Sequence, residues 1–220
     1  MANYINDNIL CQAYIHIDPV PIDESEYEEF QSYIQEFIHA RGKFFLYDDI
    51  GTDIALKDGS LKVYASIFGA FYLAIAQYGS FRAGVDYLEK DVKRLSEVII
   101  SESLFKSKSR YNNIVRVEAR VGIIGSLKSI VYEIDYIKSL IGEVEPEDIA
   151  KRMNLLSKDV EKVINNLKSD KDIIYIKENL FIEISEIPKQ AIPLPKKQVS
   201  DDIKLFYRRE RKYLAKTCKI

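Results

Sequence analysis

Residues 146–184 read PEDIAKRMNLLSKDVEKVINNLKSDKDIIYIKENLFIEI, and no other stretch of the 220-residue chain says as much about its fold. Pro146 suits a first helical position, Glu147 and Asp148 favour the positive end of a helix dipole, and Ile149, Ala150 and Met153 give a short apolar face. Asn154 interrupts that face. Ser157 suits an N-cap with Glu161 close behind, and Val160, Val163, Ile164 and Leu167 recur at the spacing of one buried helical stripe. After the Asp170-Lys171-Asp172 turn, Ile173 to Ile176 are strand formers, Lys177-Glu178-Asn179 is turn-prone, and Leu180 to Ile184 is strand-like again. The expectation is helix, turn, helix and β-hairpin.

Working outward, Ile130, Ile134, Ile137, Leu140 and Ile141 mark a helix from near Ser126 to Gly142. With it, residues 126–187 resemble the winged-helix superfamily in the pattern and order of their elements. The resemblance implies a recognition helix around Lys158, Lys162, Asn165 and Asn166 that enters a DNA groove, with Lys151, Arg152 and Lys177 on the backbone. Winged helices also serve as pure protein-binding modules, so fold analogy does not choose the partner.

Charge bears on that choice. Between Pro146 and Ile184, seven cations face eight acids, a net of −1, so the strong electrostatic footprint of a DNA reader is absent. On the second helix, however, Lys158, Lys162, Asn165 and Ser169 fall opposite the buried stripe, with Asp159 and Glu161 at the flanks. Lys and Asn suit phosphates and adenine edges. An ordinary solvated face is the competing reading. Net charge over the whole chain is −2, but Ile203–Ile220 carries Lys204, Arg208, Arg209, Arg211, Lys212, Lys216 and Lys219 against Glu210. This basic tail follows an extended linker marked by Pro188, Pro193 and Pro195. With its interleaved Phe206, Tyr207 and Tyr213, it suits nucleic acid, an anionic membrane surface, a partner's groove, or docking on its own body.

The first half reads as a mixed α/β domain. Ile9 to Ile17 alternates as a strand, and Asp23 to Ala40 keeps helical spacing through Tyr27, Phe30, Ile34, Phe37 and Ile38, closed by Gly42. Phe44 to Tyr47 reads as a short strand. Thr52 to Lys57 and Ser60 to Ile67 read as a hairpin about a type I′ Asp58-Gly59 turn. Val63–Phe81 is free of formal charge over nineteen residues, which suits a buried helix better than a membrane span, because polar side chains and glycines interrupt it. Val85, Leu88, Val92, Leu95 and Ile99 define a longer helix ending near Phe105; a basic loop at 106–110 follows, and Ile114 to Val121 alternates as a strand, although Ile114, Val117, Val121 and Ile124 also fit a helix.

Catalytic constellations are scarce. His16 and His39 have no metal-type spacing, and Gly79 to Gly84 lacks the Lys and Ser/Thr of a phosphate loop. Asp48, Asp49, Asp53 and Asp58 could offer oxygen ligands but not in EF-hand register. Arg116, Glu118 and Arg120 share one side of a strand and could grip a phosphate or carboxylate. Cys11 and Cys218 make neither a disulfide framework nor a zinc site, and the N-terminus lacks the pattern of a secretory signal. The expectation is a cytoplasmic, non-catalytic α+β protein without cofactor or metal. Its parts are a ligand-sensing or oligomerising domain at 1–110, a winged-helix-like domain at 111–187 and a linker with basic tail at 188–220. DNA is the first partner, reached through the residues named above together with Arg208, Arg209, Arg211 and Lys212. A protein partner, in an adaptor role, is the alternative, and membrane association through residues 63–81 the third.

Overall fold

Antiparallel pairing of short apolar strands organises the first part of the chain. Four strands, β1 (Ile9–Ile17), β2 (Gly51–Lys57), β3 (Leu61–Phe68) and β4 (Ile114–Arg120), form one antiparallel sheet in the order β2-β3-β1-β4. The computed structural model describes residues 8–57 and 60–219. The expected Asp58-Gly59 turn lies outside them, although the two flanking strands pair as the hairpin reading requires.

Three helices accompany the sheet: α1 (Tyr27–Phe45), α2 (Phe71–Ala76) and α3 (Phe81–Lys106). Helices α1 and α3 pack on the sheet and on each other, giving the split βαβ order. One sheet face, carrying Cys11, Ala13, Ile15, Val63, Ala65 and Ile67, is buried with Phe30, Ile34 and Ile38 of α1 and Val85, Leu88, Val92 and Leu95 of α3. Each such large apolar side chain contributes about 1.5–3 kcal/mol of burial.

Two expectations fail here. Gly42 does not close α1, which runs on through Phe45, so Phe44 to Tyr47 is not a strand. A Cβ at Gly42 would come within 2.3 Å of the Ile50 side chain; the glycine admits a neighbour and does not end the helix. Likewise Val63–Phe81 is neither a buried helix nor a span: it divides into most of β3, then α2, then the first residue of α3. Among the described residues no helix is long and apolar enough to cross a membrane. Gly84 serves packing too, since a Cβ there would lie 2.3 Å from the Ile75 carbonyl oxygen.

The chain divides into two compact units at Gly125/Ser126, not at residue 110, because β4 pairs with β1 and so completes the first sheet. Four helices follow: α4 (Gly122–Leu140), α5 (Pro146–Asn166), α6 (Asp170–Ser185) and α7 (Asp201–Thr217). Helix α4 ends just before Gly142, which adopts a φ of 83°, as expected of a glycine terminator.

The features that carried the winged-helix resemblance take a different form. Helix α5 passes unbroken through Asn154 and Ser157. Ser157 is no N-cap; its hydroxyl donates back to the Met153 carbonyl at 2.8 Å, and Asn154 donates to Glu210 at 2.8 Å. The expected wing is helix α6. Ser169 caps it, accepting from the Asp172 amide, Asp170 and Asp172 occupy its first turn, and Ile176, Leu180 and Ile184 bury one face at a four-residue interval. Burial of that stripe overrides the strand preference of the β-branched residues around it. No strand occurs among the described residues of the second unit.

The basic tail is not a free arm. Helix α7 packs along α5, burying Tyr207 and Leu214, and it is fastened to the end of α6 by Tyr207, whose hydroxyl donates to the Pro188 carbonyl at 3.1 Å. Arg211 is buried as well, and its Nε donates to the Ile187 carbonyl at 3.0 Å.

Candidate nucleic-acid interface

Packing of α7 against α5 brings the basic residues of the tail next to Lys158 and Lys162 of a helix whose charges otherwise balance. The seam is polar. Tyr213 of α7 donates to Glu161 of α5 at 2.6 Å, and Asn154 and Arg209 each donate to Glu210 at 2.8 Å. Burial pulls the Glu210 carboxyl upward. The hydrogen bonds from Asn154 and Arg209, helped by the nearby charges of Arg209 and Lys158, outweigh it and hold the group below the usual carboxylate range. Lys158 lies one helical turn after Asn154, which reaches Glu210, and so stands beside the seam.

At 100° per residue, α7 turns from Tyr213 at the seam through Arg209 to Lys216 and Lys212 on its outer side, and Arg208 follows on the flank next to buried Arg211. On α5 the same turning runs from Glu161 through Asn154, Asn165 and Lys158 to Lys162. Lys158, Lys162, Arg208, Lys212 and Lys216 are exposed, and among the described residues none has a carboxylate oxygen within ion-pair distance. Glu161 accepts from the neutral Tyr213 hydroxyl, so the cations flank a seam that holds this carboxylate as well as the Arg209–Glu210 ion pair.

Other expected contacts are elsewhere or already engaged. Lys151 is exposed but ion-paired with Glu147 at 2.8 Å and Asp148 at 3.5 Å, which raises its pKa chiefly through the Glu147 hydrogen bond. Arg152 turns to α4, pairing with Glu133 at 3.0 Å and covering the Tyr136 ring at 4.6 Å. Lys177 is half-buried on α6, near Cys218. Arg209 is paired with buried Glu210, and burial lowers the pKa of Arg211. Asn165 is exposed and Asn166 half-buried. Beside this surface, a groove of about 430 Å³ between α4 and α5 is lined by Ile130, Leu156, Val163, Asp159 and Lys162, with the Glu133–Arg152 pair on its wall.

The sheet face opposite the helices forms a second cluster, in the first unit. The Tyr14 and Tyr64 rings lie 4.9 Å apart, Arg120 covers Tyr14 at 4.4 Å, and Arg120 also donates to Glu118 at 2.5 Å and to Gln12 at 2.8 Å. Gln12 in turn donates to Ser66 at 2.7 Å. The Arg116, Glu118 and Arg120 side chains do share one face, as alternation predicts. Reading β1 and β3 with the same period would also have found Gln12, Tyr14, Tyr64 and Ser66. Arg120 is held on three sides by protein, which makes this cluster a fastening of β4 to β1 before it is a ligand grip.

No protein-family model, curated protein or solved structure matches this chain. Among the described residues no three His, Cys, Asp or Glu side chains are grouped so as to hold a metal ion.

Proposed function

We propose that this chain is a non-catalytic binding protein whose second unit associates with DNA through the α5–α7 surface. The observation that supports this is the exposed set of Lys158 and Lys162 on α5 and Arg208, Lys212 and Lys216 on α7, two helices packed together, with Glu210 paired to Arg209 and Glu161 hydrogen-bonded by Tyr213 in the seam, while Asp159 stays exposed next to Lys158. With α7 lying alongside, α5 is flanked rather than projecting, so phosphates are the expected contacts and base edges secondary. A regulator with modest sequence preference fits that arrangement better than a groove reader.

Anisotropy of a labelled duplex, titrated at several salt concentrations, tests it. Five phosphate contacts give a slope of log K against log salt of about −4.5, and Lys158→Glu with Lys162→Glu flattens it by about 2. An unchanged slope in that variant sinks the proposal. The adaptor reading is favoured by a different observation: α6 leaves Ile174, Phe181 and Ile182 exposed, the first two on one face at a seven-residue interval. In that case Phe181→Glu abolishes partner binding and leaves the DNA slope untouched.

A further inference from the structure

The two edges of the sheet are treated differently. On β2 the carbonyls of alternate residues Thr52 and Ile54 are covered by α1, whose Gln35 and Gln31 amides donate to them at 2.8 Å and 3.2 Å. The Ile54 side chain is only 4% exposed. That edge is blocked to further pairing.

The β4 edge has no such cover. Among the described residues no side chain hydrogen-bonds the backbone of Val115 to Ala119, and β4 pairs with β1 on one side alone. The strand contains neither Pro nor Lys, and its one bulge is confined to the Ile114 end. Val115 is 57% and Val117 41% exposed, and Tyr111 beside them is 93% exposed. An edge of this kind is a template for another strand.

Its charge pattern says which strand. Arg116 and Glu118 lie on one face, two residues apart, with Val117 between them on the other. We propose that β4 pairs antiparallel with β4 of a second copy of this chain about a two-fold axis at Val117, joining two four-stranded sheets into one of eight. In that register each Val117 meets its twin, Val115 meets the second copy's Ala119, and Arg116 meets the second copy's Glu118 on both sides of the axis. Within one chain Glu118 already pairs with Arg116 and Arg120, and the second copy joins two such clusters through the facing Arg116 and Glu118 side chains. The sequence Val115-Arg116-Val117-Glu118-Ala119 is therefore complementary to itself only when antiparallel. A parallel or one-residue-shifted pairing sets Arg116 and Glu118 against neutral or like-charged neighbours. The dimer is independent of DNA association, since its residues belong to the first unit.

Sedimentation velocity on the full chain, across a hundredfold range of concentration, tests the pairing. The wild-type chain forms a dimer. Arg116→Glu alone and Glu118→Arg alone are each monomeric, because each sets like charges opposite one another twice. Mixed in equal amounts, the two variants form a heterodimer. One chain then carries acids at both positions and the other carries bases at both, so every facing pair is of opposite sign. Oxidation of a Val117→Cys variant gives a disulfide-linked dimer, with little background because Cys11 and Cys218 are buried. A wild-type chain that stays monomeric throughout, charge variants that remain dimeric, or a mixture of folded variants that fails to pair overturns the proposal. Should either charge variant lose its circular dichroism, Val117→Lys decides: it places two lysines on the axis, and persistence of the dimer then refutes the β4 interface.

Discussion

Asn154 is where sequence and structure make opposite forecasts, and one substitution separates them. If Asn154 interrupted a helix, Asn154→Ala would stabilise the protein by up to about 0.7 kcal/mol of helix propensity. In the structure it sits within α5 and donates at 2.8 Å to Glu210, a carboxylate only 4% exposed, whose other oxygen is held by Arg209. A hydrogen bond to a charged group contributes about 1.5–3 kcal/mol. Subtracting the propensity gain leaves a net destabilisation of about 1–2 kcal/mol at pH 7.

The pH dependence has a definite sign. The folded-state pKa of Glu210 lies below its unfolded value, so its contribution is complete above the ordinary carboxylate range and is lost as pH falls through the folded pKa. The cost of Asn154→Ala should therefore be largest at neutral pH and shrink in acid. Urea unfolding at a series of pH values measures it, and a cycle with Glu210→Gln isolates the pair. Stabilisation by Asn154→Ala, or a cost that does not change with pH, would refute the reasoning from the α5–α7 seam.

Four other substitutions or treatments follow from the same packing. Gly84→Ala drives a methyl group to 2.3 Å from the Ile75 carbonyl oxygen and costs about 1–3 kcal/mol by chemical denaturation; a neutral result would mean that α2 yields freely. Leu214→Ala, fully buried on α7, costs about 2–5 kcal/mol and loosens the second unit as a whole, so deletion of the tail should abolish its cooperative unfolding and not merely weaken DNA binding. Ser103→Ala removes a buried hydroxyl that has no hydrogen-bond partner among the described residues, and is expected to be neutral or stabilising; a loss above about 1 kcal/mol would contradict that. Burial pushes Cys11 up to about 12 and Cys218 up to about 11, so neither thiol should react with a disulfide reagent at pH 8 until the chain is unfolded, and rapid native labelling at either would count against its placement.

Period-2 alternation in Ile9 to Ile17 and the long helical stripe from Val85 to Ile99 were legible from pattern alone, whereas Ile114 to Val121 also fitted a helix through Ile114, Val117, Val121 and Ile124, and pairing with β1 decides for the strand. Capping and terminating residues were legible at Pro146 and Gly142, where local chemistry is sufficient. The run Ile173 to Ile184 was not, because β-branched residues dense enough for two strands also contain Ile176, Leu180 and Ile184 at helical spacing, and the choice falls to whatever buries that stripe. Gly42 gave a false stop for a different reason: its close contact with the Ile50 side chain, beyond the end of the helix, is a matter of packing that periodicity does not register.

The amino-acid sequence by itself determined the composition of the candidate surface, a set of lysines and arginines on α5 and α7, and the alternation that places Arg116 and Glu118 on one face of β4. Only the tertiary structure decided that α7 lies against α5, that Arg211 is buried and Arg209 engaged with Glu210, and that Arg208, Lys212 and Lys216 stay exposed on the helix packed against the one that carries Lys158 and Lys162. Only it decided, too, that β2 is a covered edge and β4 an open one. Charge and period are properties of the chain; which charges remain available depends on contacts between residues far apart in it, and those are set by burial and hydrogen bonding in the folded state.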